Sequence, residues 1–385
     1  MEYHKYECPC MSYLHCNSSP RWILLVFRII CKVGPQELLR IHNTKDPSYF
    51  DTKASSPFGT DPNNSSTYDS DSYLPIHHLV GHSDELDGGS RYANALQALL
   101  LTSILQVQSE FFNEIPPEVL SEFANFVATL MLRHIESIPC NAISLDEVTG
   151  LGDISLEDCY GNRVRGDRLA AKIRHIEYPQ FAAGVYSACS LMNHSCDPNV
   201  DRENDLVDGT LAVVATRALK TGEAIVTCYA RNFVSDSLEK RQSYLLENYY
   251  FKCECVACEN DWPCLDEMMG REPIFSCSTC SAKFAHEEKG SSRFLKCALT
   301  PSSWTCGLCG TAFKEKEQRE QFDANMAKTF EAYELVLKNR PYEAIRKLMG
   351  PMKYFQFNVC PPYSKWYWNH ETYKQALALM VYFSC

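Results

Sequence analysis

The sequence predicts an α+β fold spread over two or three domains, with short β-like pieces framed by helices and followed by a cysteine-rich stretch. Three observations carry that prediction. Two apolar stripes at helical spacing lie in the first 140 residues, short extended pieces follow between Ala142 and Tyr229, and cysteine pairs at metal-ligand spacing precede a helical end.

Taken in order, residues 14–41 are apolar with scattered basic side chains and read as one or two helices. Residues 43–73 contain no Leu, Ile or Val but hold Pro47, Pro57 and Pro62, the composition of an extended or flexible linker. Residues 91–109 read as a helix with Leu96, Leu99, Leu100, Ile104 and Val107 facing the core. A second helix follows Pro116-Pro117 and runs to about Ile135, lined by Leu120, Phe123, Val127, Leu130 and Met131. Strand-like pieces are expected at 142–148, 183–191, 211–216 and 223–229, with tight turns at Asp208-Gly209 and Thr221-Gly222. After Phe313 the pattern is helical through Met349 and again from His370 to the end. The end at Cys385, inside a helical pattern, reads as a truncation.

The net charge of −11 argues against a nucleic-acid surface spread over the whole protein. The start of the chain lacks the basic stretch and apolar core of a secretory signal. The most apolar run, Trp22–Val33, is too short to span a bilayer and contains Arg28 and Lys32, so no membrane partner is expected. Twenty cysteines without a secretory route point to metal rather than to disulfides.

Cys253, Cys255 and Cys258 form C-x-C-x-x-C, in which a tight turn can aim several thiolates at one zinc ion. Tetrahedral zinc needs a fourth ligand, and Cys196 in Asn193-His194-Ser195-Cys196 is the best candidate. Cys277-x-x-Cys280 and Cys306-x-x-Cys309 read as a second, four-thiolate structural site, with glycine in Cys306-Gly307-Leu308-Cys309-Gly310 helping the backbone turn toward the metal. Cys264 and Cys297 are possible substitutes. At the start, His4 and Cys8 have the spacing H-x-x-x-C. They offer two zinc ligands, which Cys10 and Cys16 could join; unpaired thiols are the equal alternative.

These residues also carry a resemblance. Asn193-His194-Ser195-Cys196-Asp197-Pro198-Asn199 resembles the N-H-S-C-x-P-N signature of SET methyltransferases, and Gly222-Glu223-Ala224-Ile225 with Thr227-Cys228-Tyr229 resembles their second signature. Tyr249-Tyr250-Phe251-Lys252 and the cysteine trio are similar to the post-SET segment of the SMYD branch, in which a MYND zinc finger splits the SET domain. Pro139-Cys140-Asn141 resembles that branch's step after its helical insertion, and His4 to Cys8 resembles the last two finger ligands.

The resemblance implies a β-rich SET fold with a helical insertion, a post-SET zinc site and a helical, TPR-like C-terminal region, to which the cysteine spacing adds a second zinc module. It divides the chain into a MYND remnant (1–10), a helical linker (11–42), a flexible linker (43–73), the helical insertion (74–140), the SET core (141–235), the post-SET zinc segment (236–262), a zinc-ribbon-like module (263–315) and the C-terminal helices (316–385). It implies S-adenosylmethionine as methyl donor, zinc as structural metal, and a protein substrate carrying the target lysine. Asn141, Asn193, His194, Tyr229 and Phe251 would then border the donor, and Tyr229 and Tyr249 the lysine channel. Further protein partners would dock through the C-terminal helices, with nucleus and cytoplasm as the location. In the family a glycine-bearing strand that grips the donor precedes the finger. Here three residues precede His4, so the sequence reads as a fragment, and a catalytically inactive SET and zinc scaffold is the competing expectation. Arg133 stands where the family often has a donor-binding tyrosine.

Overall fold

A computed structural model of the chain describes residues 3–14, 22–44, 73–146, 180–204, 209–229, 231–284 and 297–383. The expected linker therefore lies mostly outside the described residues, as do Cys16 and Asp208. The chain divides into two compact units. One comprises Met1–Ser144 with Ala182–Leu191, and the other Leu145–Phe181 with Met192–Cys385.

The first unit is helical. Its long elements are α1 (Trp22–Val33), α2 (Pro35–Thr44), α3 (Gly88–Gln108) and α4 (Leu120–Asn141). α4 is central: α1, α2 and α3 all pack against it. Its buried side chains Phe123, Val127, Leu130, Met131 and Ile138 recur at the helical period, as the sequence predicts. The helix continues past Ile135 through Pro139 to Asn141. α1 answers with Ile23, Val26, Phe27 and Ile30, all inaccessible to solvent. The Asp87 side chain caps α3 by accepting the Ser90 N–H at 3.0 Å.

The predicted core face of α3 is corrected. Leu96, Leu99, Leu100 and Val107 are exposed together with Tyr92, while Ala98, Leu101 and Leu105 are buried. Residues 92–109 carry no charge, so apolar side chains lie on several sides of the helix and periodicity alone cannot choose among them. The small Ala98 belongs to the face that meets the core.

Two polar contacts sit inside this unit. Glu7, almost wholly buried, holds Arg28 Nε at 2.9 Å. His134 is wholly buried, its Nε2 2.7 Å from the Tyr73 hydroxyl. Arg133 ties down the preceding turn by donating from Nε to the His77 carbonyl (3.1 Å) and from Nη2 to the Leu79 carbonyl (2.9 Å).

Short strands follow: β1 (Ile143–Asp146), β2 (Gln180–Gly184), β3 (Asn193–His194), β4 (Val200–Asn204), β5 (Leu211–Ala215) and β6 (Val226–Thr227). Of the piece expected at 183–191, only the start is extended, because Cys189–Leu191 form a 3-10 turn in which Ser190 N donates to the Tyr186 carbonyl. The piece at 223–229 contracts to the two residues of β6, and β4 was not foreseen because its Asp-Arg-Glu-Asn run lacks strand-forming side chains. β4 and β5 pair antiparallel, Val200 opposite Ala215 and Asn204 opposite Leu211, and Gly209 between them has φ +75°. Gly222, with φ +85°, makes the second expected turn.

The second unit continues with α5 (Leu238–Tyr249), α6 (Ser278–Phe284), α7 (Glu315–Leu337), α8 (Pro341–Asn358) and α9 (Ser364–Phe383). The stretch expected to be helical after Phe313 through Met349 holds parts of two helices. Asn339 takes φ +54°, and Pro341, which lacks an N–H, starts α8. α7, α8 and α9 pack on one another, and no described helix is long and apolar enough to cross a membrane.

Burial holds the His134 imidazole neutral, with its pKa lowered to about 3. The unfolded chain binds that proton below about pH 6.5 and the folded chain does not until near pH 3, so stability falls as pH drops through this window. In chemical denaturation from pH 7 to pH 4, His134→Gln is expected to flatten the pH dependence, by up to about 1.4 kcal/mol per pH unit. Parallel curves for the two proteins would refute a neutral buried ring.

Candidate active site and thiolate centres

The site of the second unit begins with a parallel pairing. β3 lies beside β6, with Asn193 opposite Val226 and His194 opposite Thr227. Ser195 N donates to the Thr227 carbonyl at 2.9 Å. Asn199, almost wholly buried, fastens the loop: its N–H donates to the Val226 carbonyl, its Oδ1 accepts the Val226 N–H, and its Nδ2 donates to the Ala224 carbonyl. These bonds hold Asn193-His194-Ser195-Cys196 against the segment leading to Tyr229.

Cys196 is inaccessible to solvent and meets the C-x-C-x-x-C turn. Cys255 starts a single helical turn, Val256–Glu259, and its carbonyl accepts the N–H groups of Cys258 and Glu259. The sulfurs of Cys196, Cys253, Cys255 and Cys258 all lie within 4.8 Å of one another, with Cys196 and Cys258 at 3.5 Å. Tetrahedral zinc, with Zn–S bonds of about 2.3 Å, separates its sulfurs by about 3.8 Å, so this donor set fits the ion. Hydrogen bonds from the Cys196, Cys253 and Cys258 thiols hold Cys255 far below the ordinary thiol range, and Cys258 is lowered to about 7, first by Cys196. Hydrogen bonds with Cys253, Cys255 and Cys258 push Cys196 far above that range, so the metal-free thiols divide their protons unequally.

The second set also converges. Cys277, Cys280, Cys306 and Cys309 have sulfurs within 4.8 Å of one another. Antiparallel bridges Ser276–Ala298, Leu299–Cys306 and Thr305–Ala312 form the frame, and Gly310, at φ +71°, donates its N–H to the Cys306 carbonyl. All described cysteines are free thiols, in line with the expectation of metal rather than disulfides. Cys264 and Cys297 stand outside both sets. Cys264 caps a helical turn together with Glu267, and the Cys297 carbonyl accepts the Cys277 N–H. His4 and Cys8 are exposed on the first short turns, and no metal-ligand group among the described residues includes them.

The aromatic residues gather beside the first centre. The Tyr229 and Tyr249 rings lie 4.9 Å apart and tilted by 39°. His194 lies 5.2 Å from Tyr229 and 5.9 Å from Phe251. Both ring nitrogens of His194 are engaged within the protein. Nδ1 accepts the Tyr229 backbone N–H at 3.0 Å, which leaves the proton of the neutral ring on Nε2, 3.4 Å from Cys196 Sγ. Burial lowers the His194 pKa to about 4. The imidazole thereby links the Tyr229 backbone to the Cys196 sulfur.

The Tyr229 hydroxyl donates to the Met192 carbonyl at 2.8 Å. Tyr249 ends α5, and Tyr250 turns the chain through a left-handed conformation (φ 60°) into Phe251 and the cysteines. A cavity of about 600 Å³ adjoins His194, Phe251, Glu254, Glu259, Trp262 and Trp366. Asn141 belongs to the first unit, where its side-chain N–H groups donate to the Val80 and Ser137 carbonyls.

Sequence reasoning missed three residues here. Asn199 was read only as part of a motif. Gln242 pairs its side-chain amide with the Cys253 backbone, donating to the carbonyl at 2.7 Å and accepting the N–H at 3.0 Å. Arg241 is wholly buried. Both α5 residues lie in a polar stretch that marks neither of them.

A family model described as SET domain matches residues 29–230, just over half of the chain. Among curated proteins, the zebrafish (Danio rerio) protein-lysine N-methyltransferase SMYD4 is 24% identical over 298 residues, 68% of this chain and 37% of its own length. The SMYD4 of Pongo abelii is 27% identical over 180 residues, 46% of this chain and 19% of its own. The mouse histone-lysine N-methyltransferase SMYD3 is 32% identical over 104 residues, 27% of this chain and 23% of its own. The chain thus spans at most about two fifths of these relatives' length. The sequence resemblance to the SMYD branch, and within it to the group's fourth member, agrees with the two SMYD4 matches.

Full chain purified under reducing conditions is expected to carry two zinc ions, one per group of four thiols, by inductively coupled plasma mass spectrometry. Cys196→Ser should lower the content toward one. Wild-type content after that substitution would remove Cys196 from the ligand set.

Proposed function

Because this chain belongs to the SET-domain family and to its SMYD branch, we propose that it is part of a protein-lysine methyltransferase that moves a methyl group from S-adenosylmethionine to a lysine of a protein substrate. The observation that carries this reading is the convergence of His194, Tyr229, Tyr249 and Phe251 beside one thiolate centre.

The bound donor supplies an electrophilic methyl on a sulfonium, so the protein's work is positioning and desolvation. The backbone of Asn193 and His194 and the face of Phe251 are the groups assigned to hold it. The attacking lysine must be neutral, although its ordinary pKa is about 10.4. The paired phenol rings of Tyr229 and Tyr249 give a wall that disfavours the ammonium. The Tyr229 hydroxyl, fixed in place by donating to the Met192 carbonyl, is assigned to help orient the amine. Tyr249, held at the end of α5, is assigned the main positioning hydroxyl. Alignment of this kind is worth about 7–11 kcal/mol at its favourable limit.

Zinc at Cys196, Cys253, Cys255 and Cys258 is assigned a structural role, as is zinc at Cys277, Cys280, Cys306 and Cys309. The first ties the His194 loop to the segment after Tyr249, so loss of metal should damage donor and lysine sites together. The target protein is read as the main partner, with α7 to α9 as a surface for others. Nucleus and cytoplasm follow from the family resemblance.

Tyr249→Phe is expected to lower the methylation rate on the order of 10²-fold while leaving donor affinity by isothermal titration near the wild-type value. An unchanged rate would remove the role given to this hydroxyl. Titration of wild-type chain with S-adenosylmethionine that gives no heat and no saturation would count against donor use by this polypeptide.

A further inference from the structure

We propose that Arg241 is the charge partner of the Cys196, Cys253, Cys255 and Cys258 centre, and that its guanidinium slows loss of the metal. The proposal rests on the zinc reading of these four thiols. Four thiolates around a divalent zinc ion leave a net charge of about −2 on the group. Cys196 is inaccessible to solvent, Cys253 and Cys258 are nearly so and Cys255 is half-buried, so water can offset only part of that charge. A buried charge of this kind needs a counter-charge close by.

Arg241 is wholly buried on the first turn of α5. Its Nη2 lies 3.8 Å from Cys258 Sγ, and its Nη1 donates to the Asp236 carbonyl at 2.6 Å. The Asp236 carboxylate is paired with Arg231 instead, at 3.1 Å. Arg241 Nε has no hydrogen-bond partner among the described residues. A guanidinium cannot shed its proton, and here the anionic group that faces it is a cysteine sulfur. Among the described residues no carboxylate lies within salt-bridge distance of Arg241, and no other arginine or lysine donates to these four sulfurs, so each supplies what the other needs.

The second centre provides an internal contrast. Cys309 is exposed, and no arginine or lysine among the described residues donates to the sulfurs of Cys277, Cys280, Cys306 or Cys309. Solvent reaches that centre at Cys309, although Cys277, Cys280 and Cys306 are buried. α5 also carries Gln242, bound to the Cys253 backbone, and ends at Tyr249, so the guanidinium joins the metal centre to the helix that presents the tyrosine.

The test compares wild type, Arg241→Met and Arg241→Lys as full, zinc-loaded chains. Chelator is added, and cysteine alkylation by N-ethylmaleimide is followed with time by peptide mass spectrometry, which reads the two centres separately. Arg241→Met is expected to expose Cys253, Cys255 and Cys258 about 10- to 100-fold faster, the usual cost of losing a neighbour that supports a metal ligand. Arg241→Lys should stay within a few-fold of wild type, and the rates at Cys277 and Cys306 should not move. A wild-type rate in the Met variant, or a Lys variant as labile as the Met variant, overturns the proposal. If the Met variant does not fold, a Lys variant that releases metal at least about 10-fold faster than wild type overturns the proposal, and one within a few-fold supports it. Wild-type chain without metal at the first centre would refute the zinc reading itself, whereas bound metal with unchanged release rates would refute Arg241's part in it.

Discussion

Four sulfur atoms must meet for the second unit to hold its site together, and the chain delivers them from places 62 residues apart. Cys196 arrives on the loop after β3, and the other three arrive on the turn after α5. The β3–β6 pairing and the bonds of Asn199 fix where the first loop lies. The left-handed turn at Tyr250 sends the chain from α5 back toward it. His194 spans the interval, one ring nitrogen on Tyr229 and the other beside Cys196. Thiolate geometry and phenol geometry are thereby one arrangement, since a shift of the sulfurs would move the imidazole that holds the Tyr229 backbone.

The two units are stabilised by different means. The first rests on apolar contacts around α4, where Phe123, Val127 and Met131 are wholly out of solvent, with the Glu7–Arg28 pair and the Tyr73–His134 contact set into it. The second has short strands that bury little by themselves, and cysteines take part in two of its apolar clusters. Small cores of that kind gain from metal as a cross-link, because ligation constrains chain that burial alone orders weakly. The two thiolate centres also differ in surroundings. One is closed in, beside a guanidinium, and the other keeps one sulfur exposed.

The motifs legible in the sequence were those with short spacing. C-x-C-x-x-C and the paired C-x-x-C turns state their chemistry within a few residues, and the glycine at 310 takes the left-handed conformation that such a turn needs. α4 was legible because its apolar residues occupy one face. α3 was not, because an uncharged helix with leucines on several sides gives no sign of which side meets a neighbour, and the face chosen from periodicity is the exposed one. β4 escaped notice because its polar residues are held by pairing with β5 rather than by their own preference.

By itself the sequence determined which residues could bind metal, which aromatic side chains flank them, and the family whose motif order they follow. These are properties of residue type and local spacing. Tertiary structure decided that Cys196 completes the trio, that the His194 ring is committed within the protein, and that Arg241 and Gln242 belong to the site. The physical reason is that a hydrogen bond or a shared ion depends on distances of a few ångströms between segments far apart in the chain. Those distances are set by strand pairing and helix packing, which no local pattern encodes.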